Sequence, residues 1–167
     1  MKLLFVLGDI SACGGTGRAT AEIASSLSEA GYEVIVLSLF GPADPFFKLS
    51  AKVRINSAHL EETRKSLRRF AAISKTLYSK CLIDQVDVMI LVDTLLFAFC
   101  LPWLPLTRTQ IVCWEHFNLS TNHGSIFRSL ARSAAAKLSR RIVVLTERDA
   151  KAWRDKYGIR ERVQAIW

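Results

Sequence analysis

The chain has 167 residues, half of them hydrophobic, and its 23 Lys plus Arg stand against 15 Asp plus Glu for a formal net charge of +8. One globular domain of this length buries roughly two thirds of the surface its unfolded chain exposes, which excludes disorder and any need for covalent staples. Cys13, Cys81, Cys100 and Cys113 are widely spaced without a CxxC pair, and three lie in apolar segments: this reads as reduced thiols of a cytoplasmic protein, with neither a zinc site nor a disulfide framework.

Residues 3–7 (LLFVL) form a continuous apolar run, hence a first strand. Five apolar residues before Gly8 and Asp9 are too few for a secretory signal, and Ile10, Ser11, Ala12 and Cys13 imitate a lipoprotein cleavage site only by chance. A glycine-rich turn leads to a helix over 18–30, apolar at Ala19, Ile23, Ala24, Leu27 and Ala30 and stopped by Gly31. Residues 33–39 (EVIVLSL) are a second strand, apolar enough to be buried on both faces, so the chain opens with a βαβ unit. Gly41, Pro42 and Pro45 mark a loop, and 52–55 suggests a short third strand. A long helix is expected over 61–82, its stripe being Leu67, Phe70, Ala71, Leu77, Tyr78 and Cys81. Residues 87–92 (DVMILV) give a further strand, 95–104 a short buried helix broken by Pro102, and 110–114 a fifth strand. Helix 125–138, strand 141–145 and helix 147–157 continue the alternation, and 162–167 reads as the start of one more strand. The most apolar stretch, 88–106, holds Asp93, Pro102 and Pro105 and cannot cross a bilayer as one helix.

Alternation of double-faced strands with helices defines an α/β protein: a Rossmann-like, doubly wound, mostly parallel sheet with helices on both faces. Ligands of such sheets bind at the carboxyl ends of the strands, which directs attention to the loops after Leu7, Val92, Trp114 and Leu145. The chain stops inside its last apolar segment, and we expect it to be the first half of a larger protein.

Gly14, Gly15 and Gly17 lie between the first strand and the first helix, with Arg18 at the helix start. Free amides and the helix dipole there suit a phosphate, although the glycines could equally serve a tight turn that lets helix and sheet approach. The dinucleotide fingerprint fails, since Thr20 occupies its last position and no acid ends the second strand; no Gly-Lys-Ser/Thr P-loop occurs.

Three segments resemble the N-terminal domain of a GT-B glycosyltransferase of family 4, the retaining enzymes, in the branch that builds bacterial surface polysaccharides. They are GGTGRATAEIASSLSEAGYEVIVLSL after the first strand, IVCWEHFN with Phe117 standing between His116 and Asn118, and RIVVLTERDAKAWRDKYG. Gly17 departs from the Glu that close relatives often carry. The resemblance implies a nucleotide-sugar donor held mostly by a second, C-terminal domain, a glycan or polyprenyl-linked acceptor held mostly by this one, and neither a cofactor nor a metal. It places Gly14 and Gly15 at the donor diphosphate and His116 opposite the transferred sugar; with Gly17 and Arg18 the two glycines make up the candidate donor-phosphate loop. A stand-alone nucleotide- or protein-binding module and a nucleotide-sugar epimerase of the same architecture are the alternatives.

From spacing alone His116 could bind a sugar or merely cap its strand. Glu115, Asn118 and Thr146 complete a polar edge, and Asp93 either joins it or caps the helix beginning near Leu95. His59 and His123 read as loop residues, and Trp103, Trp114 and Trp153 as core. Residues 128–162 carry 11 basic and 4 acidic side chains, a net +7, and Arg64, Lys65, Arg68 and Arg69 make the long helix basic. This suits either a solvated helix face or the anionic inner surface of a membrane. Nucleic acid is excluded as a partner, because no recognition motif and no basic stretch interleaved with aromatics occurs.

Overall fold

The computed structural model describes residues 1–61, 67–121 and 125–166. Seven strands, β1 (Lys2–Leu7), β2 (Glu33–Ser38), β3 (Arg54–Ser57), β4 (Val88–Leu91), β5 (Gln110–Glu115), β6 (Arg141–Val144) and β7 (Val163–Ala165), form one sheet in the order 3-2-1-4-5-6-7. Every pairing is parallel. Helices α1 (Gly15–Glu29), α2 (Leu67–Ile83), α3 (Ile126–Leu138) and α4 (Glu147–Tyr157) and short 3-10 segments Thr94–Cys100, Leu104–Leu106 and Arg160–Arg162 lie in the crossovers, except that a loop without a helix joins β2 to β3.

The continuous apolar runs of β1 and β2 are buried from Leu3 to Leu7 and from Val34 to Leu37 because packed side chains cover the sheet on both faces. One core holds Leu4, Val6, Ile35, Leu37, Met89 and Ile111 with Leu77, Phe97 and Trp153; the other holds Leu3, Phe5, Val34 and Val36 with Ala24. The doubly wound parallel sheet expected from the sequence is thus present, and its central strands are the ones with the longest apolar runs.

Helix α1 ends in a Schellman motif: the Tyr32 amide donates to the Leu27 carbonyl and the Gly31 amide to that of Ser28. Gly31 takes φ +93°, which its lack of a side chain permits. Thr146 accepts the Asp149 amide to cap α4.

Two expectations are corrected. The third strand is residues 54–57 rather than 52–55, in register with Ile35–Ser38 of β2. The short buried helix expected over 95–104 is present as two 3-10 segments, Thr94–Cys100 and Leu104–Leu106. Helix α2 turns Ile73, Ser74, Leu77 and Cys81 to the core, while Leu67 and Ala71, placed on the apolar stripe from periodicity, are exposed.

Candidate functional site

The carboxyl ends of β1, β4, β5 and β6 share one edge of the sheet. β4 alone separates β1 from β5, so the loops after them start about 10 Å apart.

After β1, the Ile10 amide donates to Ser38 Oγ at 3.2 Å, tying this loop to the end of β2. Asp9 Oδ1 accepts the amide and the hydroxyl of Ser11 at 2.8 and 2.6 Å. The Asp9 carboxylate fills the space that a side chain at residue 41 would need, with Oδ1 1.7 Å from where a Cβ would stand, so any larger residue there would displace the carboxylate from Ser11. The loop delivers the chain to the N-terminus of α1, where Gly14 is the N-cap and offers no capping side chain. No acidic residue stands in the first turn, and a Cβ on Gly14 or Gly15 would meet nothing within 4 Å. The positive end of the helix dipole therefore faces open space. Gly17 is different: it is buried, and its Cα faces the Ala12 carbonyl so closely that a Cβ would lie 3.3 Å from that oxygen. Arg18 is exposed and paired with Glu22 at 2.9 Å, along the helix surface.

After β4, Asp93 accepts the Leu95 amide at 2.7 Å and caps the 3-10 turn; it also receives both Nη groups of Arg128 at 3.0 Å. Helix α3 has Arg128 and Arg132 on the face turned toward the sheet, one turn apart. Arg132 Nε donates to Glu115 Oε2 at 2.8 Å, and Glu115 Oε1 accepts the Phe117 amide at 3.1 Å. Glu115 is 1% exposed and Arg132 2%. Glu115 borders the concavity beside His116, but its side chain is enclosed with its counterion rather than free on the edge. Burial pushes its carboxyl up from the ordinary value, against the pull of Arg132 and of the Phe117 amide. Arg128 and Arg132, which count in the basic excess of residues 128–162, are likewise buried.

His116 follows directly. Its ring lies 4.5 Å from that of Trp114, and its buried Nε2 has no hydrogen-bond partner among the described residues. Desolvation lowers its pKa, partly offset by Asp93, so the neutral imidazole is favoured. Beside it a concavity of about 140 Å³ is lined by Glu115, Phe117, Asn118, Leu145, Thr146 and Asp149. Asn118 folds its Oδ1 back to the amide and hydroxyl of Ser120, and Thr146 is the α4 cap. A larger concavity of about 600 Å³ opens at the opposite end of β4 and β5, beside Leu82, Gln85 and Arg108; it contains no buried polar atom lacking a partner.

Of the basic helix residues, Arg64 and Lys65 lie outside the described segments, as does His123. Arg68 is exposed, whereas Arg69 is half-buried with its guanidinium 4.7 Å from the Phe40 ring centroid, which corrects its place on a free basic face. The Cys81, Cys100 and Cys113 thiols are buried and pushed up by desolvation, Cys81 to about 11, so they stay protonated; Cys13 is exposed. Sequence reasoning missed Arg128, Arg132 and Asp149. The available signal was the spacing of two arginines four residues apart among Ala131, Ala135 and Ala136, the small residues of a packed helix face.

A doubly wound parallel sheet, with an open helix N-terminus and a buried imidazole on the edge formed by its carboxyl ends, is the architecture of a Rossmann-like domain. The model of the family described as Glycosyltransferase Family 4 matches residues 13–167, and the chain belongs to that family. It is 28% identical over 157 residues to an uncharacterized glycosyltransferase of Haemophilus influenzae, covering 93% of this chain and 44% of that protein. It is also 28% identical over 149 residues to the amylovoran biosynthesis glycosyltransferase AmsD of Erwinia amylovora, covering 89% and 40%. The chain thus spans less than half the length of these curated relatives. Among solved structures, Anabaena HepE in complex with UDP-glucose superposes with a TM-score of 0.67 at 16% identity, over 100% of this chain and 43% of that one. The UDP-GlcNAc 2-epimerase of Methanocaldococcus jannaschii gives 0.72 at 13% identity, over 99% and 45%. These two likenesses concern the fold alone. The resemblance read from the three sequence segments, to the N-terminal domain of a GT-B glycosyltransferase, is borne out.

Proposed function

We propose that this chain supplies the acceptor-side half of a glycosyltransferase that moves a sugar, with retention, from a nucleotide-sugar donor to a glycan or polyprenyl-linked acceptor of polysaccharide synthesis. The carrying observation is His116: an imidazole whose neutral form burial favours, with a buried nitrogen lacking any described protein partner, on the same sheet edge as an uncapped helix N-terminus. In this reading the donor diphosphate rests near Gly14, Gly15 and the start of α1, with the positive helix end offsetting its charge. The transferred sugar lies against His116, whose nitrogen exchanges a hydrogen bond with a hydroxyl. Asn118 and Thr146 border the cleft beside it. The reading assigns no metal and no cofactor to this chain.

The test is transfer by the natural, full-length protein from a panel of UDP-, GDP- and ADP-sugars to a lipid-linked acceptor. We expect turnover with one donor, and a loss of about 10²-fold or more in His116→Ala with donor binding kept. Conversion of a nucleotide sugar to its epimer without acceptor would favour the epimerase alternative. Binding without either reaction would favour a non-catalytic module.

The acceptor reading carries a location, the inner face of an anionic membrane. Among the described residues no helix is long and apolar enough to cross a bilayer. Phe70, Phe99 and Phe127 form a ladder with ring centroids 5.1 and 6.0 Å apart that joins the start of α2 to the start of α3. Around it Leu67 (89% exposed), Ile126 (78%) and Leu130 (63%) face outward, with Arg68 beside them. Apolar side chains rimmed by positive charge suit an interfacial position on anionic lipid. In flotation with phosphatidylglycerol vesicles, Arg68→Glu should weaken binding by about fivefold or more, since each basic residue near such a surface contributes ~1 kcal/mol. Equal affinity for neutral and anionic vesicles would remove the membrane from the proposal.

A further inference from the structure

The loop over 116–121 is built around one guanidinium. Arg132 Nε donates to the Glu115 carboxylate at 2.8 Å; Nη1 donates to the carbonyls of Leu119 and Thr121 at 3.1 and 3.2 Å; Nη2 donates to that of Asn118 at 3.3 Å. Three consecutive-turn carbonyls and the carboxylate that closes the preceding strand thus converge on one planar fork. The loop is also closed on itself, the Thr121 amide donating to the Asn118 carbonyl at 2.9 Å. It is held from the far side by Asp149, which accepts the Leu119 amide at 2.8 Å. His116 has no comparable tether of its own: its Nε2 lacks a described partner, and its ring lies on Trp114. Where the imidazole stands is consequently decided by the backbone on either side of it. That backbone is fixed by Glu115, whose other oxygen takes the Phe117 amide, and by the carbonyls hung on Arg132.

We infer that Arg132 is a positioning residue of this site, its buried guanidinium setting the path of the loop that presents His116. The inference rests on the reading of His116 as the group that faces the transferred sugar. Five N–H donors in a rigid plane can serve four acceptors spread along a turn; the point charge of a lysine, on a flexible stem with three donors, cannot. Arg128 is not equivalent. It pairs with Asp93, the cap that follows β4, and its guanidinium lies 4.8 Å from the Phe117 ring centroid, with no bond to the loop's carbonyls among the described residues.

The experiment uses histidine-labelled full-length protein, with the His116 ring signal identified by its loss in His116→Gln. Two variants are compared: Arg132→Lys, which keeps the buried charge, and the charge-balanced pair Glu115→Gln with Arg132→Gln, which leaves an acceptor for the Phe117 amide and removes the fork. The charged groups around the loop are Asp93, Glu115, Arg128, Arg132 and Asp149. In the wild type, burial holds the His116 titration below the ordinary imidazole value. We expect the titration to rise toward that value in both variants, and kcat for sugar transfer to fall about 10²-fold with the nucleotide-sugar KM unchanged, the mark of a displaced group rather than a lost binding contact. Folded variants with wild-type His116 titration and wild-type kcat would reduce Arg132 to a core ion pair and overturn the inference. If the titration moves while His116→Gln transfers sugar at the wild-type rate, the loop assignment stands and the role given to His116 is what fails.

Discussion

Glu115→Ala is expected to destabilise the protein by about 3–5 kcal/mol, a drop on the order of 10 °C in Tm. The substitution removes little volume from the core. It leaves the Arg132 guanidinium, 2% exposed, without its counterion, and the Phe117 amide without its acceptor. A buried charge deprived of its partner costs more than the pair ever contributed, because desolvation has been incurred and the compensating attraction is gone. Arg128 worsens the imbalance, since its Nη1 lies 3.8 Å from Glu115 Oε1 and is matched otherwise only by Asp93. Combining Glu115→Ala with Arg132→Met removes both charges and should be no less stable than Glu115→Ala alone, although the carbonyls of Asn118, Leu119 and Thr121 then lose their donor. Denaturant titration of the two single variants and the double variant measures the coupling. A Glu115→Ala protein within about 1 kcal/mol of wild type would mean that water reaches Arg132 and that the pair is not the enclosed one described here.

The parts of the fold that could be read from the amino acids are those whose physics is local. β1 and β2 announce themselves because a central strand of a parallel sheet must be apolar on both sides, and Gly31 because the chain there needs a positive φ. Helix α2 shows where local reasoning fails. The expected stripe holds the buried Leu77 and Cys81 but also the exposed Leu67 and Ala71 and not Ile73, because only contact with the sheet decides how far round the helix the buried face extends. The short helix after β4 and its cap Asp93 are legible, since the apolar run from Leu95 to Leu101 follows a carboxylate, but the hold of Arg128 on Asp93 from 35 residues away is not.

The site divides in the same manner. His116 could be singled out because a polar residue directly after an apolar strand must sit at the sheet edge, where ligands bind. Glu115, one residue earlier, has the opposite fate: it lies at the last position of the strand and its side chain goes under the edge to Arg132, 17 residues on. No spacing rule reports such a pair, and a count of charges over 128–162 does not say which of them are buried. Buried ion pairs between distant segments are the feature that composition most readily misassigns, since a charged residue is presumed exposed until a partner of opposite sign is found next to it.

The glycine loop permits a prediction in which stability and binding move in opposite directions. Gly15→Asp places a carboxylate at the first residue of α1, where a Cβ meets nothing within 4 Å, no side chain caps the helix, and no acid stands in the first turn. The added negative charge interacts favourably with the positive helix end, about 0.3–1 kcal/mol, and replacing glycine also reduces the freedom of the unfolded chain. Tm should hold or rise by a few degrees. If a donor diphosphate rests at this helix end, the same carboxylate meets it with like charge and at close range, which costs several kcal/mol. Affinity for the nucleotide sugar should then fall by about 10²-fold or more, and the loss should shrink as salt screens the repulsion. Gly15→Ala separates charge from bulk: it adds a methyl in the same open space and should weaken binding far less than the aspartate unless the diphosphate lies directly on the main chain. Calorimetric titration at low and high salt, alongside thermal melts of both variants, reads the two effects together. An aspartate variant that is more stable and binds the donor like wild type would show that the diphosphate lies elsewhere on the edge. One that is less stable would show that the first turn of α1 is not the open, uncapped end from which the binding argument starts.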